Sequence, residues 1–246
     1  MHSTSSLFDR IAPVYDQMNK IMSLGQDDYW RKTLVSHIPW SKYSNFSIID
    51  MACGTGAMTE AVLEQTEMHT RSCNFWMIDP SKEMLNRAKQ RNYNRTSFAE
   101  INFVQAYAEC VRLPSEIAQV YVCAFGLRNM KSRTLALKEA FRLLTPEGSL
   151  LILEFSFEVL PSLAWAYRYY LLHGIPFLGR WLAGDAEAYE YLSNSIYEFP
   201  PPSVILDECS QAGFQNSQCI PLCSGIVQLY SAQRPKNFGQ IEATCY

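Results

Sequence analysis

A short apolar run that ends in small residues is the part of this sequence whose composition most suggests ligand binding. Residues 48–51 (Ile-Ile-Asp-Met) lead into Ala-Cys-Gly54-Thr-Gly56, and helix-forming residues follow over 57–67. This order predicts a buried strand, a tight turn and a helix, the unit in which backbone comes close enough to a ligand to contact it. The glycines leave room for a ligand against the main chain.

The residues around this turn argue against a dinucleotide ligand. Ala57, Met58 and Thr59 follow Gly56, so the third glycine that a pyrophosphate site requires is missing. The carboxylate of Asp50 at the strand end would repel a phosphate and suit a cationic group, such as the ammonium of S-adenosylmethionine (SAM). A Gly-x-Gly pair on its own is also compatible with an ordinary turn.

A second acidic residue, Asp79, ends the next apolar run, 75–78 (Phe-Trp-Met-Ile), about 25 residues beyond the glycines. A carboxylate at this position can accept hydrogen bonds from both ribose hydroxyls of a nucleoside. Because Pro80 and Ser81 follow, capping of the next helix is the alternative role. The glycines upstream favour ribose binding.

Strands and helices alternate from residue 45 onward. Helices are predicted from Ser81 to Arg91 and from Ser132 to Leu144, with Ser81 as an N-cap. Such alternation predicts a parallel sheet with ligands at the carboxyl ends of its strands, and the closely spaced last two strands predict a hairpin at one edge. The strands are predicted near 46–51, 74–79, 101–105, 120–125, 149–155, 217–222 and 225–232.

The N-terminal segment, residues 7–38, predicts helices interrupted at Pro13 and Gly25, the last of them running from Asp27 or Asp28 to about His37. This segment is either a packing arm or a lid over the ligand.

Residues 157–183 are rich in aromatic and aliphatic side chains, but polar residues such as Arg168 and His173 interrupt the run. The run is therefore too polar to cross a bilayer. It predicts either an ordinary packed helix and loop or an apolar wall for a lipid-like substrate, with a surface that could touch a membrane.

The composition excludes several function classes. The chain has 246 residues, 48% hydrophobic and 18% charged, which fits one domain with a substantial core. A formal net charge of -3 without a basic stripe argues against a nucleic-acid partner. There is no secretory signal, no apolar run of the roughly 18 to 20 residues that span a bilayer, and no metal-ligand spacing of Cys or His. We therefore expect a cytoplasmic, metal-free protein with reduced thiols.

Several blocks of residues make this sequence similar to the ubiquinone/menaquinone biosynthesis C-methyltransferases, a family of class I SAM-dependent methyltransferases. The resemblance extends from about Leu7 to Arg234, and the block 125–129 (Phe-Gly-Leu-Arg-Asn) is highly specific to the family. Asp27, Thr145 and Glu147 depart from the family pattern. The other matching blocks are Tyr15-Asp16-x-Met18-Asn19, Ser23 and Trp30, residues 142–156, Asp185-Ala186-Glu187-x-Tyr189-x-Tyr191-Leu192, and Ala212-Gly213-Phe214.

The resemblance implies an α/β, Rossmann-like class I methyltransferase fold. Its sheet would be mostly parallel and seven-stranded, with an antiparallel edge strand and helices on both faces. The implied divisions are an N-terminal helical lid (1–40), a SAM-binding Rossmann-like core (41–156), a helical apolar insertion over the substrate (157–200), a C-terminal helix and β-hairpin that complete the same domain (201–234), and a tail (235–246).

The resemblance also implies SAM as the cofactor and carries its contacts onto this chain. Thr55 and Asp79 match directly, whereas Tyr107 replaces a usual small polar residue beside Ala108 on the adenine side, and Ala124 stands where serine is common. The predicted cofactor site is therefore Asp50, Gly54, Thr55, Gly56, Asp79, Tyr107, Ala108 and Ala124.

The family's reaction moves a methyl group from SAM to a ring carbon of a polyprenylated quinol. That carbon becomes nucleophilic when a quinol oxygen loses its proton, and lowering a phenolic pKa from ~10 to 7 needs roughly 4 kcal/mol of preferential phenolate stabilisation. Arg128, after the fourth strand, is our first choice to stabilise the phenolate while water takes the proton. The alternative is a structural ion pair with a carboxylate such as Asp16. Asn129 and Tyr15 complete the predicted catalytic residues.

We therefore predict SAM-dependent C-methylation of a polyprenylated quinol, with demethylmenaquinol preferred over 2-methoxy-6-polyprenyl-1,4-benzoquinol as the acceptor. The alternatives are a methyltransferase for another small apolar acceptor, a non-catalytic SAM-binding partner of a quinone-synthesis assembly, and, more weakly, a nicotinamide dehydrogenase. We also expect transient peripheral contact with the inner face of the membrane, driven by the substrate's tail, and a homodimer by default.

Overall fold

Seven strands form one sheet in the part of the chain that the structure, a computed structural model, describes: residues 4–42, 46–69, 72–91, 99–175, 177 and 186–236. The strands lie in the order β3-β2-β1-β4-β5-β7-β6. Their bounds are β1 Phe46–Met51, β2 Cys73–Asp79, β3 Ala99–Gln105, β4 Ala118–Ala124, β5 Leu144–Phe155, β6 Gln215–Leu222 and β7 Val227–Gln233.

The first five strands are mutually parallel, as the alternation of the sequence predicts. β7 runs antiparallel to β5 on one side and to β6 on the other, so β6 forms the edge of the sheet. The predicted class of fold is confirmed. β5 begins five residues earlier than predicted, because Leu144 already pairs with Ala118 before an irregular register around Pro146 and Glu147.

The helices in the described residues cover both faces of this sheet. One face packs α3 and α4 against the alternate strand residues that include Ile48, Val120 and Leu151. The other packs α6 and α9 against their neighbours, which include Ile49 and Tyr121. The helix bounds are α1 Thr4–Ile11, α2 Tyr15–Met22, α3 Asp27–Ser36, α4 Ala57–His69, α5 Lys82–Gln90, α6 Arg133–Leu143, α7 Pro161–Tyr169, α8 Ala186–Tyr197 and α9 Pro202–Gln211.

Serine N-caps explain where two crossover helices begin, and the cap at Ser81 was predicted from the sequence. The hydroxyl of Ser81 accepts a hydrogen bond from the backbone N–H of Met84 at 3.1 Å, and that of Ser132 accepts one from Leu135 at 3.3 Å. Each hydroxyl satisfies a backbone donor that the first turn of a helix leaves free. The helices therefore start one residue after each serine, at the carboxyl edge of the sheet.

The N-terminal helices pack against the apolar segment that follows β5. Leu7, Ile11 and Met18 form one cluster with Tyr167 and Leu171. Pro13 lies in a short 3-10 turn between α1 and α2, and Gly25 adopts a φ of +74° in the turn before α3, as the predicted interruptions require.

The apolar segment is helical over α7 and continues through a π-helical turn at Tyr170–Gly174. Among the described residues, no helix is both long and apolar enough to pass through a bilayer. The division of the chain into lid, core, insertion and tail stays a prediction, and most of the tail, residues 237–246, lies outside the described residues.

Candidate active site

The glycine turn between β1 and α4 is bound to the ends of β2 and β4. Ala52 and Gly54 both have a φ of +54°. The N–H of Gly54 donates a hydrogen bond to Asp79 Oδ2 at 2.9 Å. A Cβ on Gly126, after β4, would lie 2.5 Å from the Cβ of Ala52, so the two loops contact each other directly and only glycine fits. The ends of three strands therefore meet at one place.

The carboxylate of Asp79 accepts two backbone hydrogen bonds at the start of the next helix and in the glycine turn, and its ribose contact stays a prediction. Its Oδ1 accepts a hydrogen bond from the N–H of Ser81 at 2.8 Å, which starts α5, while Oδ2 holds Gly54. Burial raises the pKa of Asp79 to about 6, although the two backbone hydrogen bonds oppose this rise. Each carboxylate oxygen still has an acceptor site for a hydroxyl. The side chain can therefore shape the turn and bind a ribose.

A narrow cleft of about 80 Å³, called here the glycine-turn cleft, lies beside this turn. It brings together most of the predicted cofactor residues from four separate loops. Those that line it are Gly54, Asp79, Tyr107, Ala108 and Ala124, together with the predicted catalytic residues Tyr15 and Asn129.

The two residues of the predicted adenine-side pair differ in exposure. Tyr107 is 44% exposed, and the ammonium of Lys131 lies 5.2 Å from the centre of its ring, whereas Ala108 is buried. An exposed aromatic ring can cover a base by stacking, a contact that a small polar residue does not provide.

Asp50 lies behind the cleft rather than in its wall. The side chain is 1% exposed, and Oδ2 accepts a hydrogen bond from Thr59 at 2.6 Å. Oδ1 has no hydrogen-bond partner among the described residues. Burial raises the pKa of Asp50 from 3.8 to about 7, against the hydrogen bonds from Thr59. Its predicted contact with a cationic ligand group stays a prediction.

Thr55 and Gly56 also lie outside the cleft wall, and Thr55 connects the turn to α2, in the segment predicted as a lid. Its hydroxyl donates a hydrogen bond to Asp16 of α2. Arg91, just after α5, forms an ion pair with the same Asp16, donates to the carbonyl of Thr55 and pairs with Glu60. We call these four residues the lid latch.

A second and larger cavity, about 380 Å³, lies between α2, α3 and α7 and has mostly apolar walls. We call it the apolar cavity. Tyr15 and Phe125 line both this cavity and the glycine-turn cleft, so the two spaces meet at these rings. Phe125 has a φ of +60°, a costly conformation for a non-glycine residue that is typical of functional sites.

Arg128 lines the apolar cavity but is not held by Asp16. Its guanidinium pairs with Glu154 at the end of β5, with Nη1 2.6 Å from Oε1, and both side chains are buried. Glu154 also accepts hydrogen bonds from the backbone N–H groups of Arg128 and Phe155. The structural partner suggested by the sequence was therefore wrong. Nε of Arg128 has no hydrogen-bond partner among the described residues.

Asn129 and Tyr15 stand beside this arginine. Asn129 Oδ1 accepts a hydrogen bond from the hydroxyl of Tyr191 at 3.1 Å. Burial raises the pKa of Tyr15, while the charge of Arg128 and a hydrogen bond with Asn19 act in the opposite direction. The hydroxyl of Tyr15 is therefore neutral at physiological pH, and its side chain lies where the cleft and the cavity meet.

Sequence reasoning missed Glu154 and Arg91. Glu154 stands in a matching block, at the carboxyl end of a predicted strand, and a carboxylate at that edge was an available signal. Arg91 gave no signal, because it precedes a polar stretch and its partners are distant in sequence.

Some predicted residues cannot be placed. Asp185 lies outside the described residues, and the structure gives no description of the side chains of Ala186 and Glu187. Within the described part of the chain, no three His, Cys, Asp or Glu side chains lie together as they would around a metal ion.

Comparison with known proteins identifies the family. A model of the ubiE/COQ5 methyltransferase family matches residues 2–234. The ubiquinone/menaquinone biosynthesis C-methyltransferase UbiE of Rickettsia prowazekii is 34% identical over 230 residues, which are 94% of this chain and 92% of that protein. The protein of the same name from Bartonella tribocorum is 34% identical over 92% of this chain and 86% of its own length.

Solved structures support the fold. A SAM-dependent methyltransferase from Thermotoga maritima superimposes with a TM-score of 0.61 at 15% identity, over 94% of this chain and 99% of its own. One from Aquifex aeolicus gives a TM-score of 0.58 at 13% identity, over 89% and 97% of the two chains.

The residues of the glycine-turn cleft fit SAM. Gly54 offers backbone without a side chain, the carboxylate of Asp79 would accept hydrogen bonds from the ribose hydroxyls, and Tyr107 and Ala108 would lie against the adenine. From the match over nearly its whole length and from this site, the chain belongs to the ubiE/COQ5 methyltransferase family and is a SAM-dependent methyltransferase.

Proposed function

We propose that this methyltransferase acts on a ring carbon of a polyprenylated quinol, with demethylmenaquinol as the preferred acceptor. One observation carries the proposal. The apolar cavity, whose wall includes the buried Arg128, meets the glycine-turn cleft at Tyr15 and Phe125. Such a cavity suits a hydrophobic ring with an oxygen to be stabilised. The names of the two relatives described above also support a quinone pathway.

The chain's own contribution is to hold the ring and stabilise its oxygen as a phenolate. SAM supplies the electrophilic methyl group when it is bound. Because Glu154 neutralises Arg128, the arginine acts through directed N–H donors rather than as an isolated charge. Such donors in a dry cavity are preorganised and can supply a large part of the roughly 4 kcal/mol that phenolate formation at pH 7 requires. Water takes the proton.

The alternative acceptor within this proposal is 2-methoxy-6-polyprenyl-1,4-benzoquinol. Its ring also carries two oxygens in a 1,4 relation, so the same donors suit it.

A test measures methyl transfer from labelled SAM to short-tailed, reduced forms of both acceptors. Product from either supports the proposal, and the ratio of the two kcat/KM values identifies the acceptor. Arg128→Lys should lower kcat at least tenfold with SAM affinity unchanged, because the ammonium of lysine lacks the several coplanar N–H donors of the guanidinium. No product from either acceptor while SAM still binds would overturn the proposal. Full turnover by Arg128→Lys would remove Arg128 from the mechanism.

The proposal includes peripheral contact with a membrane at the mouth of the apolar cavity. Leu24 and Leu163 line the cavity and are 86% and 40% exposed, and α7, which carries Leu163, also exposes the stacked rings of Trp165 and Tyr169. Apolar and aromatic side chains of this kind suit the headgroup region of a bilayer, where a prenylated acceptor would enter.

Cosedimentation with vesicles of phosphatidylcholine and phosphatidylglycerol that contain the quinol tests this contact. We expect Trp165→Ala to weaken binding several-fold without changing SAM affinity, because the ring of Trp165 is 79% exposed. A wild-type protein that ignores these vesicles would overturn the membrane contact but not the reaction.

A further inference from the structure

Two residues that line the apolar cavity each carry a buried donor without a hydrogen-bond partner among the described residues. One is Nε of Arg128, and the other is the hydroxyl of Tyr167 on α7. A buried polar group without a partner costs stability, so such groups in a native protein indicate a function or a missing partner. Arg128 already has a role in the proposed reaction, whereas Tyr167 has none.

Tyr167 is close to Arg128. Its side chain is 8% exposed, and it lines the cavity together with Arg128 and Phe155. Burial raises the pKa of Tyr167, while the charge of Arg128 lowers it and that of Glu154 raises it further, so the buried pair is within electrostatic reach. The hydroxyl is therefore neutral at physiological pH and available as a donor.

The neighbouring Tyr170, by contrast, has a hydrogen-bond partner for its hydroxyl. It lines the same cavity, but its hydroxyl donates a hydrogen bond to the carbonyl of Met22 at 2.8 Å and so holds α2. Of these two tyrosines, three residues apart, Tyr170 therefore has a partner for its hydroxyl, whereas Tyr167 has none within the part of the chain that the structure describes.

From these contacts we infer that the Tyr167 hydroxyl donates a hydrogen bond to the second ring oxygen of the acceptor, the oxygen that Arg128 does not hold. The inference rests on the proposed quinol function and deepens it. Two spare donors in one apolar cavity match the two oxygens of a 1,4-quinol ring. Tyr167 is then a specificity residue that selects rings with two oxygens over rings with one.

The test compares two acceptors with the wild type, Tyr167→Phe and Tyr170→Phe. One acceptor is reduced 2-prenyl-1,4-naphthoquinol. The other is 3-prenyl-1-naphthol, which keeps the oxygen beside the reacting carbon and lacks the second oxygen. If the benzoquinol is the better acceptor, the corresponding quinol and phenol replace this pair.

For Tyr167→Phe we expect kcat/KM with the quinol to fall roughly 5- to 100-fold, because a buried acceptor atom loses its donor. With the naphthol it should change less than about twofold, and SAM affinity should not change. The Tm of Tyr167→Phe should stay equal or rise, since the deleted hydroxyl makes no hydrogen bond to any residue that the structure describes. Tyr170→Phe should lower Tm and leave the preference between the two acceptors intact.

Three results would overturn the inference while the proposed function stands. They are an unchanged kcat/KM of Tyr167→Phe with the quinol, an equal loss with both acceptors, and the same change of preference in Tyr170→Phe. A wild type without turnover of either quinol would instead overturn the proposed function, and the inference with it.

Discussion

The buried acid Asp50 leads to a quantitative prediction about stability and pH. Its pKa in the folded protein is about 7, raised mainly by burial, against an ordinary value of 3.8. The folded protein therefore keeps a proton at pH values where the unfolded chain has lost it. By linkage, this acid stabilises the fold fully below about pH 4, and its contribution is lost as the pH rises through 7. At ~1.36 kcal/mol per pKa unit, the loss amounts to about 4 kcal/mol.

Replacing Asp50 with Asn removes this titration while retaining the shape of the side chain. The amide oxygen can still accept the hydrogen bond from Thr59, and the amide nitrogen takes the place of Oδ1, which has no partner among the described residues. The effect of the new side chain on packing is the same at every pH, so it does not contribute to a change with pH. We therefore expect the free energy of unfolding of Asp50→Asn, minus that of the wild type, to rise by up to about 4 kcal/mol between pH 4 and pH 8.

Urea unfolding followed by tryptophan fluorescence, at several pH values, measures this difference. Asp207→Asn is the control, because Asp207 is exposed on α9 and water solvates its charge in both states. A difference that does not change with pH would refute the reasoning, since Asp50 would then be ionised and compensated in the folded protein.

The same variant tests the predicted contact between Asp50 and the ammonium of SAM. If the carboxylate contacts that group, Asp50→Asn should weaken SAM binding at least tenfold, and SAM should favour the ionised form of Asp50 in the wild type. If Asp50 only supports the turn from behind, as its burial suggests, SAM affinity should change little. Isothermal titration calorimetry at pH 6 and pH 8 separates the two cases.

Two further predictions concern ion pairs. Arg91→Ala removes the cation of the lid latch, so Asp16 of α2 loses its ion pair. We expect SAM to dissociate several-fold faster in a stopped-flow measurement, which corresponds to about 1 kcal/mol. An unchanged rate would show that the latch does not retain the cofactor. Glu154→Gln leaves the buried guanidinium of Arg128 without a countercharge, which should cost about 3–5 kcal/mol and lower Tm by roughly 6 to 20 °C. The matched control is Glu208→Gln at a more exposed arginine pair, and similar Tm values for the two variants would contradict the assignment of a buried pair.

The sequence allowed the fold to be predicted because local signals agreed with one another. Apolar runs placed the strands within a few residues of their observed bounds, apart from the early start of β5, and Ser81 and Ser132 marked helix starts by a local hydrogen bond. Strand positions and helix starts depend on residues that are close in sequence, so one sequence is enough to predict them. The expected homodimer and the cytoplasmic location stay predictions.

The partners of charged side chains could not be predicted in the same way. From the sequence alone, any carboxylate near the sheet edge is a possible partner of Arg128. The order of the strands, not the local sequence, places β5 next to β4 and so brings Glu154 to Arg128. Likewise, the strand position of Asp50 was clear, but whether its carboxylate faces the ligand or Thr59 depends on the path of the turn above it.

The start of α2 connects the two spaces of the candidate site. Asp16 belongs to the lid latch, and the ring of its neighbour Tyr15 forms part of both the glycine-turn cleft and the apolar cavity. A shift of α2 on cofactor binding would therefore also move a wall of the apolar cavity. We expect binding of cofactor and acceptor to be coupled in this way, and because such coupling is reciprocal, each ligand would change the affinity of the other by the same factor.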